Sequence, residues 1–243
     1  MKRVFVSMIM AFVAIVSMSA QQTVVQNKDL DAFSSVVVGG KFAFKLKTAS
    51  TYSVRILADE RIIDFVRPTV KNGVFSIVLD EKKYPAELKK ALKAKGAVEP
   101  FLEVELSAPY ISKLEGKEKA QLLDADDIKV DMFSLSTSGS AKISRLNVNC
   151  ITADLSFNGS SNSNVVVDVD TKLTVNSENS SVNNVTQRGG NAIIVAKGSS
   201  TLNINVEVVD VDIESAGGST IYLSGLASMI DVEAAGGSLI DAE

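Results

Sequence analysis

The chain has 243 residues, with 25 lysines and arginines against 29 aspartates and glutamates, and it contains neither histidine nor tryptophan. Its net charge of −4 disfavours nucleic acid and anionic lipid as partners, and no lysine–arginine cluster offsets that balance. Without histidine the usual general base and the commonest metal ligand are missing; a single cysteine, Cys150, rules out an internal disulfide.

Residues 1–20 read as a secretory signal peptide. Lys2 and Arg3 form a basic start, Val4 to Val16 is almost wholly apolar, and Ser17-Met18-Ser19-Ala20 supplies the small residues of a cleavage site before Gln21. The apolar run is short for a membrane span, and no later stretch is a transmembrane candidate. Cleavage after Ala20 leaves 23 basic residues against 29 acidic ones, a net of −6. Export to the periplasm or the cell surface follows from this reading.

Residues 21–32 read as an N-terminal tail, and 33–243 as one β domain, with strands over 33–107 and repeats over 108–243. Short strands are predicted at Ser35 to Val38, Lys41 to Lys47, Tyr52 to Leu57 and Val74 to Leu79, punctuated by Gly39-Gly40 and Asn72-Gly73. A helical insertion occupies about 81–100. Pro85 suits a first helical position; Leu88, Ala91, Leu92 and Lys95 share a face, and Gly96 can end the helix. Its lysines are diluted by Glu81, Glu87 and Glu99, which favours a helix covering an end or seam of the β structure over a binding helix. The strand pattern resumes at Phe101 to Leu106, Ile111 to Leu114, Ala120 to Leu123 and Ile128 to Leu135. Leu114 and Leu122 mark a weak early coil, so this half runs on into the repeats.

From there a short phrase recurs. Gly139, Gly159, Asn179, Gly198, Gly217 and Gly236 stand at steps of 20, 20, 19, 19 and 19 residues, each beside serine or a second glycine. Asparagine is the non-glycine residue best suited to positive φ, so Asn179 fits a series of left-handed turns. Four residues before each anchor come Leu135, Leu155, Val175, Ile194, Ile213 and Val232; six before come Phe133, Ala153, Leu173, Ala192, Val211 and Ile230. The intervening positions are mostly polar, which is the period of a strand with one buried face. A unit this short cannot bury its apolar face alone, but stacking on its neighbours does so. The predicted fold is therefore an all-β, single-stranded parallel β-helix of about 19–20 residues per coil, right-handed by the general rule for crossovers. Six coils give a rod roughly 25 Å long.

The phrases "FSSVVVGGKFAFKL", "VRILADERIIDFVRPTVKNGVFSIVL" and "LEVELSAPYISKLEG", followed by the Gly-Ser-Ser units, resemble one family over Phe33 to Glu243. That family is the "putative auto-transporter adhesin, head GIN domain", found in exported proteins of Bacteroidetes-type bacteria. The resemblance implies a β-helical cell-envelope protein with an adhesive role, and it carries no catalytic residues across. The segment from Glu81 to Pro100 departs from the family pattern as an insertion.

Catalysis is disfavoured. The turn serines have no histidine to activate them. Asp154, Asp168, Asp170, Asp212 and Asp231 could in principle serve glycoside cleavage, but from the first anchor, Gly139, onward Tyr222 is the only tyrosine or tryptophan. Cys150 lies in a strand and reads as a core thiol. No cofactor is implied. One speculative site is a weak cation cluster. Asp212 and Asp231 share one register and Glu214 and Glu233 another, so stacking would gather four carboxylates on one face, where a hard cation could relieve their repulsion. The leading function is an adhesin-like, non-enzymatic rod that binds a protein or a glycan. A structural or stress-related envelope protein without a dedicated ligand, and a polysaccharide-active enzyme, stay as alternatives.

Overall fold

A computed structural model describes residues 16–18 and 21–243. The N-terminal block contains β1 (Val16–Met18), β2 (Gln21–Asp29), β3 (Ser35–Val38), β4 (Ala43–Thr48), β5 (Ser53–Asp59), β6 (Val66–Lys71), β7 (Val74–Leu79), α1 (Ala86–Lys93) and β8 (Leu102–Ala108). Then follow β9 (Lys113–Gly116), β10 (Gln121–Ala125), β11 (Ile128–Lys129), β12 (Met132–Thr137), β13 (Lys142–Phe157), β14 (Asn162–Ser177) and β15 (Val182–Arg188). The last six are β16 (Asn191–Ala196), β17 (Thr201–Glu207), β18 (Asp210–Ser215), β19 (Thr220–Leu226), β20 (Met229–Ala234) and β21 (Leu239–Ala242).

These strands build a solenoid with two walls. Wall A runs, neighbour to neighbour, β6-β7-β3-β9-β12, then the second halves of β13 and β14, then β16-β18-β20. Wall B runs β1-β2-β5-β8-β4-β10, then the first halves of β13 and β14, then β15-β17-β19-β21. From β7 and β8 onward every pairing along both walls is parallel, as the repeat spacing predicts. β13 and β14 bend from one wall into the other, and their mutual register shifts between Cys150 and Thr152 at that corner.

The interior is a set of side-chain columns. Phe75, Val36, Leu114, Leu135, Leu155, Val175, Ile194 and Ile213 are register partners one after another, and each is buried. Val232 keeps the register on β20 but has one neighbouring strand and is 45% exposed. Leu114 and Leu122 take the interior places expected of the early coil.

The glycine corner is equally regular. Gly40, Glu118, Gly139, Gly159, Asn179, Gly198, Gly217 and Gly236 all have positive φ. Each turn donates to the one before it, as in Ser160 N–H to the Gly139 carbonyl (2.6 Å) and Gly218 N–H to the Gly198 carbonyl (2.7 Å). A Cβ built on Gly159 would lie 2.6 Å from the Gly139 carbonyl oxygen. Glycine is needed there both for its backbone angle and because the turns stack so closely.

Four expectations need correction. The 21–32 segment carries the nine-residue β2, antiparallel to β5 along its whole length; its mixed polar sequence hides an edge strand that buries little. β6 was not anticipated, because Arg67, Thr69 and Lys71 alternate with a proline, a pattern typical of a guarded edge. The expected single strand from Ile128 to Leu135 is split into β11 and β12, where the chain turns from one wall to the other. In the helix, Pro85 caps rather than starts α1, and Leu88 and Leu92 pack on the core while Ala91 and Lys95 are exposed. The predicted leader lies outside the described residues except for Val16–Met18, which pair antiparallel with Gln21–Thr23.

Candidate interaction surfaces

Every rung turns alternate residues inward, so whatever the rod does chemically it does with its outward side chains, its corners and its ends. The strands that carry the four carboxylates of the expected acidic cluster stand in parallel register. Asp212 lies beside Asp231 and Glu214 beside Glu233 on β18 and β20. Lys197 on the preceding rung approaches Glu214 at 3.0 Å and supplies one counter-charge. Among the described residues no three histidine, cysteine, aspartate or glutamate side chains are grouped so as to hold a metal ion. Asp154 and Asp168 stand on different walls, and Asp168 is engaged by Arg188 at 3.2 Å. Cys150 is buried, and that burial, with the charge of Asp170, pushes its thiol up to about 11. It stays protonated at neutral pH, as a core residue does.

The β8–β9 connection forms a second surface. Pro109 to Ser112 step over the rung made by β3 and β4, with Ala108 and Ile111 buried and Tyr110 turned out at 51% exposure. Tyr110 and Met132 edge a groove of about 630 Å³, whose walls include Lys129, Asp131, Thr152 and Asp154. On the other side of the β8–β9 connection Asp126 accepts from the Thr48 backbone N–H (2.8 Å) and from Lys47 (3.2 Å), and these donors hold its carboxyl below the usual range. Another groove, of about 480 Å³, runs under α1 between Tyr84, Leu92 and Leu102, and a Lys41–Glu99 ion pair stands at its rim.

The outward faces of the two walls differ in charge. On the later rungs wall A presents Asp210, Asp212 and Glu214, then Asp231 and Glu233. Wall B presents charged pairs on its early rungs, such as Lys45 with Glu103 at 2.7 Å. From β14 to β19 its central outward columns are Asn164-Asn184-Asn203-Tyr222 and Val166-Thr186-Asn205-Ser224, with no ionised side chain. Sequence reading missed this face. The signal was present in the alternate positions of the second strand of each unit, which are mostly amide or hydroxyl, while the first strands of the last two units, β18 and β20, carry acids.

The structure divides the turn serines. Ser161, Ser181, Ser200 and Ser219 are buried inside the corner. Ser181 and Ser177 share a 2.9 Å hydrogen bond, and Ser200 donates to the Ser177 carbonyl at 3.0 Å. Ser181, Ser200 and Ser219 tie the turn column together, and all four are closed to substrate.

The family model for the "putative auto-transporter adhesin, head GIN domain" matches residues 32–183 and again 151–243. The chain belongs to that family. Among solved structures it resembles a putative adhesin from Bacteroides fragilis NCTC 9343, with a TM-score of 0.67 at 12% identity, covering 92% of this chain and 98% of the other. A putative adhesin from Parabacteroides merdae ATCC 43184 aligns with a TM-score of 0.60 at 14% identity, covering 91% and 96%. A protein from Parabacteroides distasonis ATCC 8503, described as a putative lipid binding protein, aligns with a TM-score of 0.63 at 12% identity, again covering 91% and 96%. At such identities these likenesses establish the common fold. No curated protein matches the sequence. No helix among the described residues is long and apolar enough to cross a membrane.

Proposed function

We propose that this chain is an exported, non-enzymatic cell-envelope protein, an adhesin-like β-solenoid that binds a protein or glycan partner through its outward faces. The observation that carries the reading is membership of the head GIN family by a chain whose described residues form one continuous stack. A solenoid spends its apolar side chains on stacking and leaves extended, regular faces outside. Such faces suit recognition of long or repetitive partners more than they suit reaction chemistry, which favours an enclosed site.

The leader supports export, with the mature protein starting at Gln21. Fractionation with N-terminal sequencing tests that step: the expected product begins at or near Gln21 and is released from washed membranes. Full-length chain retained in the inner membrane would contradict it. Protease treatment of intact cells separates a surface position from a periplasmic one. The binding step is tested by presenting mature protein to immobilised glycans and matrix proteins. Saturable retention on at least one class is the expected result, and retention on none contradicts it.

A further inference from the structure

Wall B changes character along the rod, and the change is abrupt. Its early rungs expose ionised side chains, including Lys45, Lys47, Glu103 and Asp124. Over β14, β15, β17 and β19 the two central outward columns carry none, whereas wall A presents Asp210, Asp212 and Glu214 on β18, beside the last of these rungs. Soluble surfaces generally carry ionisable side chains at about a quarter to a third of their positions. Four successive rungs of uncharged columns are therefore a feature in need of a partner, and stacking does not require it because these side chains point away from the core.

The uncharged face is also held in order. Asn203 donates from Nδ2 to Asn184 Oδ1 at 2.9 Å across neighbouring rungs, and Asn205 donates to Ser224 Oγ at 2.9 Å. A primary amide has two donors and an oxygen with two lone pairs, so one such contact fixes its plane and leaves most of its capacity for an outside molecule. Tyr222 follows Asn203 in the asparagine column, ahead of Asp241 on β21, and is 45% exposed, a ring on which an apolar sugar face can rest. Rungs are ~4.8 Å apart and residues along a strand ~3.3 Å, so the two columns run roughly 15 Å along the rod and stand about 7 Å apart. That is room for several sugar units.

Resting on the adhesin-like reading, we infer that the outward face of wall B from β14 to β19 is a docking surface for a neutral polysaccharide. Complementarity of charge and hydrogen bonding selects the occupant. Hydroxyl-rich, uncharged chains match a plane of amides and hydroxyls, whereas a protein hot spot needs a cluster of aromatic or arginine anchors, and here Tyr222, Val182 and Leu226 are the exposed large apolar groups, with a single aromatic ring among them. Anionic glycans would meet an acidic rod with no cationic row on this face. Arg188 stands at its border and is already engaged by Asp168. Neighbouring rungs offer the same chemistry at a regular step, which suits a repeating polymer.

The test is affinity electrophoresis of the mature protein through gels containing xyloglucan, galactomannan or dextran, beside gels containing alginate or heparin and beside immobilised fibronectin and collagen. Three variants accompany wild type: Tyr222→Ala, the isosteric Asn184→Asp/Asn203→Asp, and Asp212→Asn/Asp231→Asn on wall A. Melting curves check that each is folded, and Tyr222→Leu replaces Tyr222→Ala if the latter is not. The expected result is retardation by at least one neutral polysaccharide, weakened about tenfold or more in Kd by either wall B change and unaltered by the wall A change. Retardation indifferent to the wall B variants overturns the inference. So does binding confined to anionic glycans or to protein, and both of these results leave the adhesin-like reading standing. No retention on any glycan or protein overturns both.

Discussion

The N-terminal block and the later coils obey the same stacking rule but reach it by different routes. From β12 onward each rung lies on the one just made, and its interior is mostly aliphatic. In the N-terminal block the first rung, β3 and β4, ends up between two others that the chain makes later. β7 and β8 cover it on one side, and β9 and β10 on the other. Its interior is aromatic, with Phe42, Phe44 and Phe75 fully buried and Phe33 against both Tyr52 and Phe75. A coil that stacks on its immediate predecessor needs only a repeated pattern of small and branched side chains. A rung inserted between distant segments closes long loops, and larger side chains compensate by burying more area.

The turns give the widest separation between the two regions. Gly159→Val meets both a φ of +75° and the Gly139 carbonyl, and should destabilise by about 3 kcal/mol or more. Gly73→Val in the β6–β7 hairpin has φ +72° but nothing within 4 Å, and should cost about 1–2 kcal/mol. Gly198→Val falls between them, since its added Cβ would sit 3.1 Å from Asn179. Urea titrations of the three variants rank these effects, and equal losses would erase the distinction between a stacked and a free turn.

The N-terminal block has an electrostatic anchor of its own. Burial alone would raise the Asp59 carboxyl, but Arg61 outweighs it through a guanidinium contact at 2.5 Å and a backbone N–H at 2.9 Å, and the net shift is downward. A carboxylate depressed in the folded state contributes stability above its unfolded pKa of about 4 and loses it as pH falls through the folded value. Asp59→Ala should cost about 2 kcal/mol at pH 7, because Arg61 is partly exposed and solvent screens the pair. Wild type should lose more stability than the variant between pH 5 and pH 3, as followed by thermal melts; parallel curves would show that the pair is not linked to folding.

Smaller effects belong to the outward face of wall A. Asp212 opposite Asp231 and Glu214 opposite Glu233 are like-charge neighbours, which cost a few tenths of a kcal/mol each. Asp212→Asn/Asp231→Asn should raise the melting temperature slightly at low salt, and the gain should fade as salt screens the wild type. Calorimetry with and without millimolar Ca²⁺ tests the cation cluster in the same experiment. A rise in wild type alone would establish binding there, and no response would leave a solvated acidic face.

This division also accounts for what could be read from the sequence. The columns through Leu135, Leu155 and Val175, and the positive φ of Asn179, follow from spacing alone, because each coil repeats the physical task of the last. The place of β3 could not be read that way. Its partners Phe75 and Leu114 stand 39 and 78 residues after Val36 (75 − 36 and 114 − 36), close to two and four repeat lengths, yet both lie directly against it, an order in space that spacing along the chain does not reveal. Leu114 nevertheless showed as apolar at the right phase, so the early coil was visible while its neighbour was not. On the outside, the acidic register of Asp212 and Asp231 was plain, since charge stands out. The uncharged columns of wall B were overlooked because asparagine and threonine also read as ordinary turn and edge residues.

The insertion of β3 between β7 and β9 is the claim on which the account of the N-terminal block rests, and cross-linking tests it directly. Val37, on the outward side of β3, is the register partner of both Ser76 and Glu115. Oxidation of Val37→Cys/Glu115→Cys and of Val37→Cys/Ser76→Cys should give disulfides readily, with buried Cys150 unreactive. Ser76→Cys/Glu115→Cys stand two strands apart, roughly 9–10 Å, beyond the reach of a disulfide. Efficient bonding in the first two pairs and none in the third is the predicted result. A disulfide between Ser76→Cys and Glu115→Cys, with neither partner capturing Val37→Cys, would place β7 directly on β9 and contradict the threading described for the first rung.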